Sequence, residues 1–421
     1  MATGAINGVQ ASRFLALPSE LRDLIYEHVF EPSSFYYPLA DQEGYFGYDF
    51  STFAALQRTC RVVASESKPI FHKLNRFVRV RTPWPEAQHH IEHEGRVPIL
   101  KREEKALAFK IWSVDIVINA PDLALVDDTT FCKFIIHAQD LDGFARMWFY
   151  SDLSHPGLNG HLRLSLIFRD PFPTVDKETG QQKSRSMPKQ SQREIMMPFG
   201  RVKGLQDANA DGLYDQSIFK ELQAEMDVPL ASAEDCLEQT TKKKEAGDSA
   251  LQKKDYSRAI DLYEQAFAEM HIPCKGRRRN IYGDAWFVKT LESGRYDGQQ
   301  GHLVRLVLRV QLVAAVVDCY LGLEDWDTAK FWGMRSINLM REANGDDDGE
   351  AEDEPMLGFP GADAVGLLYF RTAKALRMLG DRDEARRLMK TALAYLPSNE
   401  EVRKEWEGLR LQRIGGYGWI G

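Results

Sequence analysis

The sequence predicts a multidomain protein: an N-terminal helical unit with a mixed α/β layer, followed by a C-terminal all-α array of helical hairpins. Three observations carry this reading. The chain has 421 residues, too many for one ordinary core. Two stretches between residues 100 and 230 alternate apolar with polar residues, as half-buried strands do. From about Thr240 to Arg413, small and aromatic residues recur in phase on a helical spacing. The expected boundaries are residues 12–82 for a helical domain and 100–230 for the mixed region, with a mobile loop at 174–193. Residues 238–413 hold the repeats and a capping helix, interrupted by an acidic linker at 345–357.

Composition narrows the function classes. Hydrophobic residues make up 43% and charged residues 28%, enough apolar surface to offset chain entropy. Of the formal charge of -8, seven charges come from Asp346, Asp347, Asp348, Glu350, Glu352, Asp353 and Glu354, leaving the rest nearly neutral. Such a body has no basic face for nucleic acid, so no nucleic-acid partner is expected. Five scattered cysteines without a CxxC pair read as free thiols of a reducing compartment. No secretory signal is expected. The longest apolar stretch, Leu303 to Leu323, is interrupted by Arg305, Arg309, Gln311 and Asp318, so no membrane partner is expected either. A cytoplasmic or nuclear location follows.

The first element opens at Phe14 with FLALPSELRDLIYEHVF, where Pro18 and Glu20 suit a helix start and Leu21, Leu24, Ile25 and Val29 share one face. That helix is expected to pack against a partner element. After a Tyr-rich loop comes FAALQRTCRVVASESKPIFHKLNRF, helical through Leu56, Cys60, Val63 and Ala64 until Pro69. Trp112, Val114, Ile116 and Ile118 alternate as on a strand, as do Leu162, Leu164, Leu166 and Phe168. Between them Asp127 or Asp128 is placed to cap a helix carrying Phe131, Phe134, Ile135 and Ala138. A third strand is expected near Ile195 to Val202 and a helix near Ser217 to Met226.

In the repeat region a period of about 34 residues is legible, with interruptions. Gly247, Ala250, Tyr256, Ala259, Tyr263 and Ala266 form the first copy. Val317, Tyr320, Trp326, Ala329, Gly333 and Ser336 occupy the same relative positions in the second. The third offers Ala373, Leu376, Ala385, Met389 and Ala392, with Pro397 at its end. Small residues suit these sites because helices approach closely there. NEEVRKEWEGLRLQR reads as the capping helix that a stack of repeats requires.

These spacings resemble the tetratricopeptide (TPR) family over about 175 residues, in an arrangement similar to that of large immunophilins and related co-chaperones. The resemblance implies a groove that clamps an acidic chaperone tail through two Lys, two Asn and one Arg. Carried over by position, Lys244 and Arg371 match, the asparagines fall on Asp248 and Ala315, and the other lysine falls on Leu367. The implied peptide-binding groove comprises Lys244, Asp248, Gln311, Asp318, Phe370, Arg371, Lys374 and Arg377. With three clamp positions changed, weak binding of a chaperone tail is expected. The seven-acid loop, close in sequence to Arg371, Lys374 and Arg377, is a candidate internal competitor for that groove.

The pair LPSELRDLIYEHVF and LQRTCRVVASESKPIFHKLNRF resembles the F-box-like domain of fungal proteins over about 65 residues. That resemblance implies docking on the Skp adaptor of cullin-based ubiquitin ligases through Leu17, Pro18, Leu21, Ile25 and Cys60. A loop bearing Tyr36, Tyr37, Tyr45, Phe46 and Tyr48 separates the two helices and lengthens the box.

Other motifs point to chemistry more faintly. DANADG at Asp207 to Gly212 starts like a calcium loop but has Ile218 at the twelfth position, where a bidentate Glu belongs. HHIEHE sets His89 and His93 four apart with His90 and Glu94 adjacent, a spacing that suits a metal. GRRRN at Gly276 to Asn280 is a basic run fit for nuclear import or phosphate contact. No nucleophile elbow, phosphate loop, dinucleotide fingerprint or zinc-protease helix is present. The expectation is therefore a non-enzymatic adaptor without catalytic residues, metal or cofactor, recruiting a client protein to a ubiquitin ligase. The alternative is a TPR co-chaperone-like or assembly protein that binds a peptide tail and carries a structural N-terminal domain.

Overall fold

The computed structural model describes residues 12–39, 45–122, 131–176, 182–343 and 355–414. The chain divides into two compact units, Met1–Pro229 and Leu230–Gly421, the first containing both the helical box and the α/β region.

In the first unit, helix α1 (Ser19–Val29) leads through a short 3-10 turn into a hairpin of β1 (Tyr36–Pro38) and β2 (Phe46–Tyr48). Helices α2 (Ser51–Gln57) and α3 (Arg61–Leu74) follow. Helix α3 runs through Pro69 instead of stopping there, so the expected helix end lies five residues too early. Next come β3 (Phe77–Thr82), α4 (Ala87–His93), β4 (Lys101–Arg102), α5 (Glu103–Ala108), β5 (Val114–Asn119) and β6 (Cys132–His137). The unit ends with α6 (Leu141–Ser154), β7 (Arg163–Phe168), a small hairpin of β8 (Thr174–Val175) and β9 (Gln182–Lys183), α7 (Lys189–Met196), β10 (Asp207–Gly212) and α8 (Gln216–Asp227).

Six strands make one mixed sheet in the order β10-β7-β5-β3-β6-β4. Strands β5 and β7 confirm the two alternating stretches, with Val114, Ile116, Leu164 and Leu166 fully buried. Helix α8 stands where expected.

Three expectations fail here. Of residues 131–138, Cys132–His137 form β6, which pairs antiparallel with β3, instead of a helix. Phe134, Ile135 and Ile136 are all buried, and a strand covered on both faces loses the alternation that would have identified it. Asp127 and Asp128 lie outside the described residues. Residues 195–202 continue α7 into a 3-10 turn, with Ile195, Met196 and Phe199 buried, instead of forming a strand. The stretch 174–193, read as a mobile loop, holds the β8–β9 hairpin and the start of α7, whose buried Gln192 donates to the Met187 carbonyl at 2.8 Å.

The second unit is three helix pairs and a terminal helix: α9 (Ala233–Gln252) with α10 (Tyr256–Glu269), α11 (Gly301–Gly322) with α12 (Trp326–Ala343), and α13 (Ala362–Met378) with α14 (Arg382–Tyr395), then α15 (Glu400–Ile414). One turn design recurs in all three. A residue with positive φ (Lys254, Glu324, Gly380) precedes an aspartate whose N–H returns to the carbonyl of Ala250, Tyr320 or Leu376. The same aspartate, Asp255, Asp325 or Asp381, caps the next helix by accepting the N–H of Arg258, Thr328 or Glu384. Ala259, Ala266, Ala329, Ala373, Ala385 and Ala392 are fully buried, as the small-residue pattern required. A β-carbon on Gly247 would sit 2.5 Å from the Tyr263 ring, and one on Gly333 would sit 2.0 Å from the Thr372 hydroxyl. These glycines allow the helices to touch.

The insert between α10 and α11 carries a hairpin of β11 (Cys274–Lys275) and β12 (Arg278–Arg279). Buried Arg305 anchors it, donating to the carbonyls of Met270 (3.0 Å) and Tyr282 (2.6 Å) and to the Asp284 carboxylate.

Candidate functional site

The N-terminal box shows which side of α1 the sequence commits to the core. Tyr26 and Phe30 point inward at 1% and 0% exposure, and Phe30 packs edge-on against Phe71 while Phe53 stacks on Phe71 at 3.7 Å. Leu21, Leu24 and Ile25 are exposed at 47%, 60% and 39%, so they lie outside this core. The aromatic residues at 26 and 30 carry more apolar area, and one helix cannot bury both sides against one neighbour.

Arg22 fixes this orientation. Its guanidinium forms a two-pronged pair with Glu66 of α3 (2.9 and 2.5 Å) and donates to the Leu17 carbonyl, so the Leu-Pro turn is held to the helix. That hydrogen-bonded pairing holds the Glu66 carboxyl below its usual value. Of the five residues implied to face an adaptor, Leu17 is half-buried and Pro18, Leu21, Ile25 and Cys60 are exposed. Cys60 ends the break between α2 and α3. Exposed Leu15 and Val62 flank the same stretches and were not singled out by spacing.

The Tyr-rich loop does not stand free. Tyr36 and Tyr48 both donate to the Asp140 carboxylate, the latter at 2.7 Å, and Tyr45 donates to the His93 carbonyl at 2.9 Å. Burial pushes Asp140 up to about 6 despite these two donors.

In the second unit the expected basic groove is neutralised. Lys244 pairs with Asp248 one turn along at 2.8 Å, and Asp248 also accepts the Tyr263 hydroxyl at 2.8 Å. Arg371 pairs with Asp318 at 2.7 Å and donates to the Ala314 carbonyl at 2.9 Å. Lys374 and Arg377 pair with Glu401 and Glu405 of α15 at 2.9 and 2.6 Å. Thus α15, read as a solvent-facing cap, supplies the carboxylates for the basic helix face. The acidic residues 346–354 lie outside the described residues.

Phe370 is buried at 4% with the Lys374 ammonium 5.2 Å over its ring, so it belongs to the core and not to an open groove wall. Gln311 is half-buried on α11. Asp318, Lys374 and Arg377 do come together, lining a cavity of about 730 Å³ with Tyr256, Trp326 and Glu405. Lys244, Asp248, Gln311, Phe370 and Arg371 are not among its lining residues. Glu401 and Glu405 were not singled out in the sequence, although their spacing of four on a helix was legible.

The remaining motifs resolve into structure. DANADG is edge strand β10, parallel to β7, with Asp207, Asn209 and Asp211 exposed and Ala208 and Ala210 turned toward the sheet core. Gly212 has φ 82°, and a β-carbon there would lie 2.0 Å from the Phe168 carbonyl oxygen, so strand geometry explains the glycine that a calcium loop also demands. The rings of His89 and His93 lie 4.1 Å apart, tilted by 41°, on α4, while His90 faces Glu94 (3.0 Å) and Ser151 (2.8 Å). No group of three potential metal ligands gathers among the described residues.

Ser151 and His90 line an apolar cavity of about 620 Å³. The Ser151 hydroxyl donates to the Met147 carbonyl at 3.0 Å, one turn earlier on α6. The basic run GRRRN is only partly free: Arg279 is 4% exposed against Trp332 and Phe267, and Arg335 donates to the carbonyls of Arg277 and Arg279. Among the described residues, no helix is long and apolar enough to cross a membrane. No protein-family model and no curated protein matches the chain.

Proposed function

We propose that this protein is a protein-binding adaptor: an N-terminal F-box-like unit docks on a Skp-type adaptor of a cullin ubiquitin ligase, and C-terminal TPR-like hairpins recruit a client. The observation that carries the reading is the aliphatic face of α1. Leu21, Leu24 and Ile25 stay in water while the same helix buries Tyr26 and Phe30. Three aliphatic side chains within two turns of a rigidly held helix are what an apolar docking surface needs. The recurrent hairpin turn supports the second half, since stacked hairpins present extended surfaces to peptides.

The paired state of Lys244, Arg371, Lys374 and Arg377 disfavours the alternative of a chaperone-tail clamp. A terminal carboxylate would have to displace an existing carboxylate at each cation. The test is calorimetric titration of the full chain with a purified Skp adaptor. Wild type is expected to bind, and the double variant Leu21→Lys, Ile25→Lys is expected to lose binding with an unchanged circular dichroism spectrum. Absence of binding by wild type removes the ligase half of the reading.

A further inference from the structure

A cavity of about 410 Å³ opens in the first unit where α3, the segment after β7 and the segment entering α7 meet. Lys68, Arg76, Arg169 and Arg185 line it, with one carboxylate, Asp170, among them. Asp170 already accepts the backbone N–H groups of Phe172 (2.9 Å) and Arg185 (2.8 Å). Lys73, also at the rim, is held by Glu27 at 3.1 Å. Among the described residues, the side chains of Lys68, Arg76 and Arg185 have no hydrogen-bond or ion-pair partner. This concentration of positive charge sits on a chain whose formal net charge is -8, so it is not a general basicity.

Arg76 is the informative member. It is half-buried, and burial holds its guanidinium below the ordinary value, with Glu194 acting weakly in the other direction. A half-buried guanidinium without a protein acceptor keeps its donors free for an entering anion. Arg169 is held rigidly, its guanidinium 4.0 Å over the Trp112 ring and donating to the Lys110 carbonyl at 3.1 Å. Part of its five-donor fork therefore remains available. Phe172, 40% exposed, lies against the His72 ring at 4.4 Å and gives the cavity an aromatic wall.

We propose that this cavity binds a phosphate monoester, with Arg76 and Arg169 as forked donors and Lys68 and Arg185 flanking the charge. Cations approaching from separate chain segments suit a tetrahedral dianion with three acceptor oxygens better than a planar carboxylate. The volume admits the phosphate together with part of its ester group. The source is either a small phosphorylated molecule, stacked on Phe172, or a phosphorylated side chain of a client. The proposal does not depend on the α1 face, so it and the adaptor reading stand or fall separately.

The test is calorimetry on the full chain with three probes: inorganic phosphate, adenosine monophosphate, and a phosphoserine peptide with its unphosphorylated control. At least one phosphate probe is expected to bind saturably, more weakly at high salt. Arg76→Met should weaken binding by about tenfold or more, and Arg185→Gln by a few-fold. Arg185 is exposed and unpartnered, so its substitution leaves the fold intact and keeps the test decisive even if Arg76→Met does not fold. Adenosine monophosphate binding that drops in Phe172→Ala identifies the small-molecule source, whereas preference for the phosphopeptide identifies a client side chain. Either result supports the site. No saturable binding of any phosphate probe, or binding equal for wild type and Arg185→Gln together with equal affinity for the unphosphorylated peptide, overturns it.

Discussion

The two units reach stability by opposite routes. In the first, the sheet joins residues far apart in sequence: β3 sits between β5 and β6, and Asp207 to Gly212 pairs with Arg163 to Phe168. Its box is closed by large aromatic side chains, Tyr26, Phe30, Phe35, Phe71 and Phe77, packed with Trp112 and Ile135. In the second, the two helices of each hairpin pack on each other and α11 packs also on α13, and the close contacts depend on residues with little or no side chain. A unit built on large aromatics is damaged by deletion. A unit built on close helix approach is damaged by addition.

The largest expected effect tests that asymmetry directly. Phe30→Ala removes a fully buried ring and should cost the first unit about 3–5 kcal/mol. Urea unfolding followed by hydrogen exchange is expected to show early opening of residues 12–229 with protection of α9–α14 unchanged. Loss of protection in both units together would show that the two are not separately stable.

Acid should act next most strongly, through buried histidine. His137 is 1% exposed, and burial lowers it to about 4, with Arg76 adding to the effect; its Nδ1 accepts the Gln139 N–H at 3.3 Å and has no room for a proton. With the folded value below the unfolded 6.5, this contribution is present above pH 6.5 and is lost as pH falls toward 4, on the order of 3 kcal/mol. His72, lowered to about 4 by burial, acts in the same direction. Asp140 opposes them: its folded value is raised to about 6, so its contribution is present below about 4 and is lost as pH rises through 6. Asp140→Asn should therefore steepen the loss of first-unit stability between pH 6.5 and 4 in chemical denaturation. An unchanged slope would rule out the opposing role of Asp140.

Gly333→Ala should destabilise the second unit by about 1–3 kcal/mol, because the added methyl meets the Thr372 side chain. Gly408→Ala is the matched control on α15, where a β-carbon meets nothing within 4 Å. It should be neutral or stabilising by up to about 1 kcal/mol. Thermal melts of the two variants that coincide would remove close approach as the organising constraint. Smallest of all, Leu24→Lys places a charge on an exposed position and should shift stability by no more than about 0.5 kcal/mol. A larger loss would mean that the α1 aliphatic face is covered in solution.

The legibility of the sequence follows the same division. The repeat helices could be read because helix formation and hairpin packing are local, so Ala259, Ala329 and Ala385 recur at the same place in each hairpin, four residues after Asp255, Asp325 and Asp381. Strands β5 and β7 were legible where alternation survived. Strand β6 was not, since burial on both faces erased its period, and β10 was not, since an edge strand with exposed acids looks like a polar turn. The resemblance alone pointed to Leu17, Pro18, Leu21, Ile25 and Cys60 as candidates for an adaptor surface; all but half-buried Leu17 are exposed.

By itself, then, the sequence determined the helical array and the two alternating strands. Only the tertiary structure decided which face of α1 meets water, that the groove cations are already paired, and that Arg76 is half-buried without an acceptor. The physical reason is range. Helix periodicity and capping are set within a few residues, whereas burial and charge pairing depend on partners that the chain brings together only when folded, such as Phe71 against Phe30 and Glu405 against Arg377.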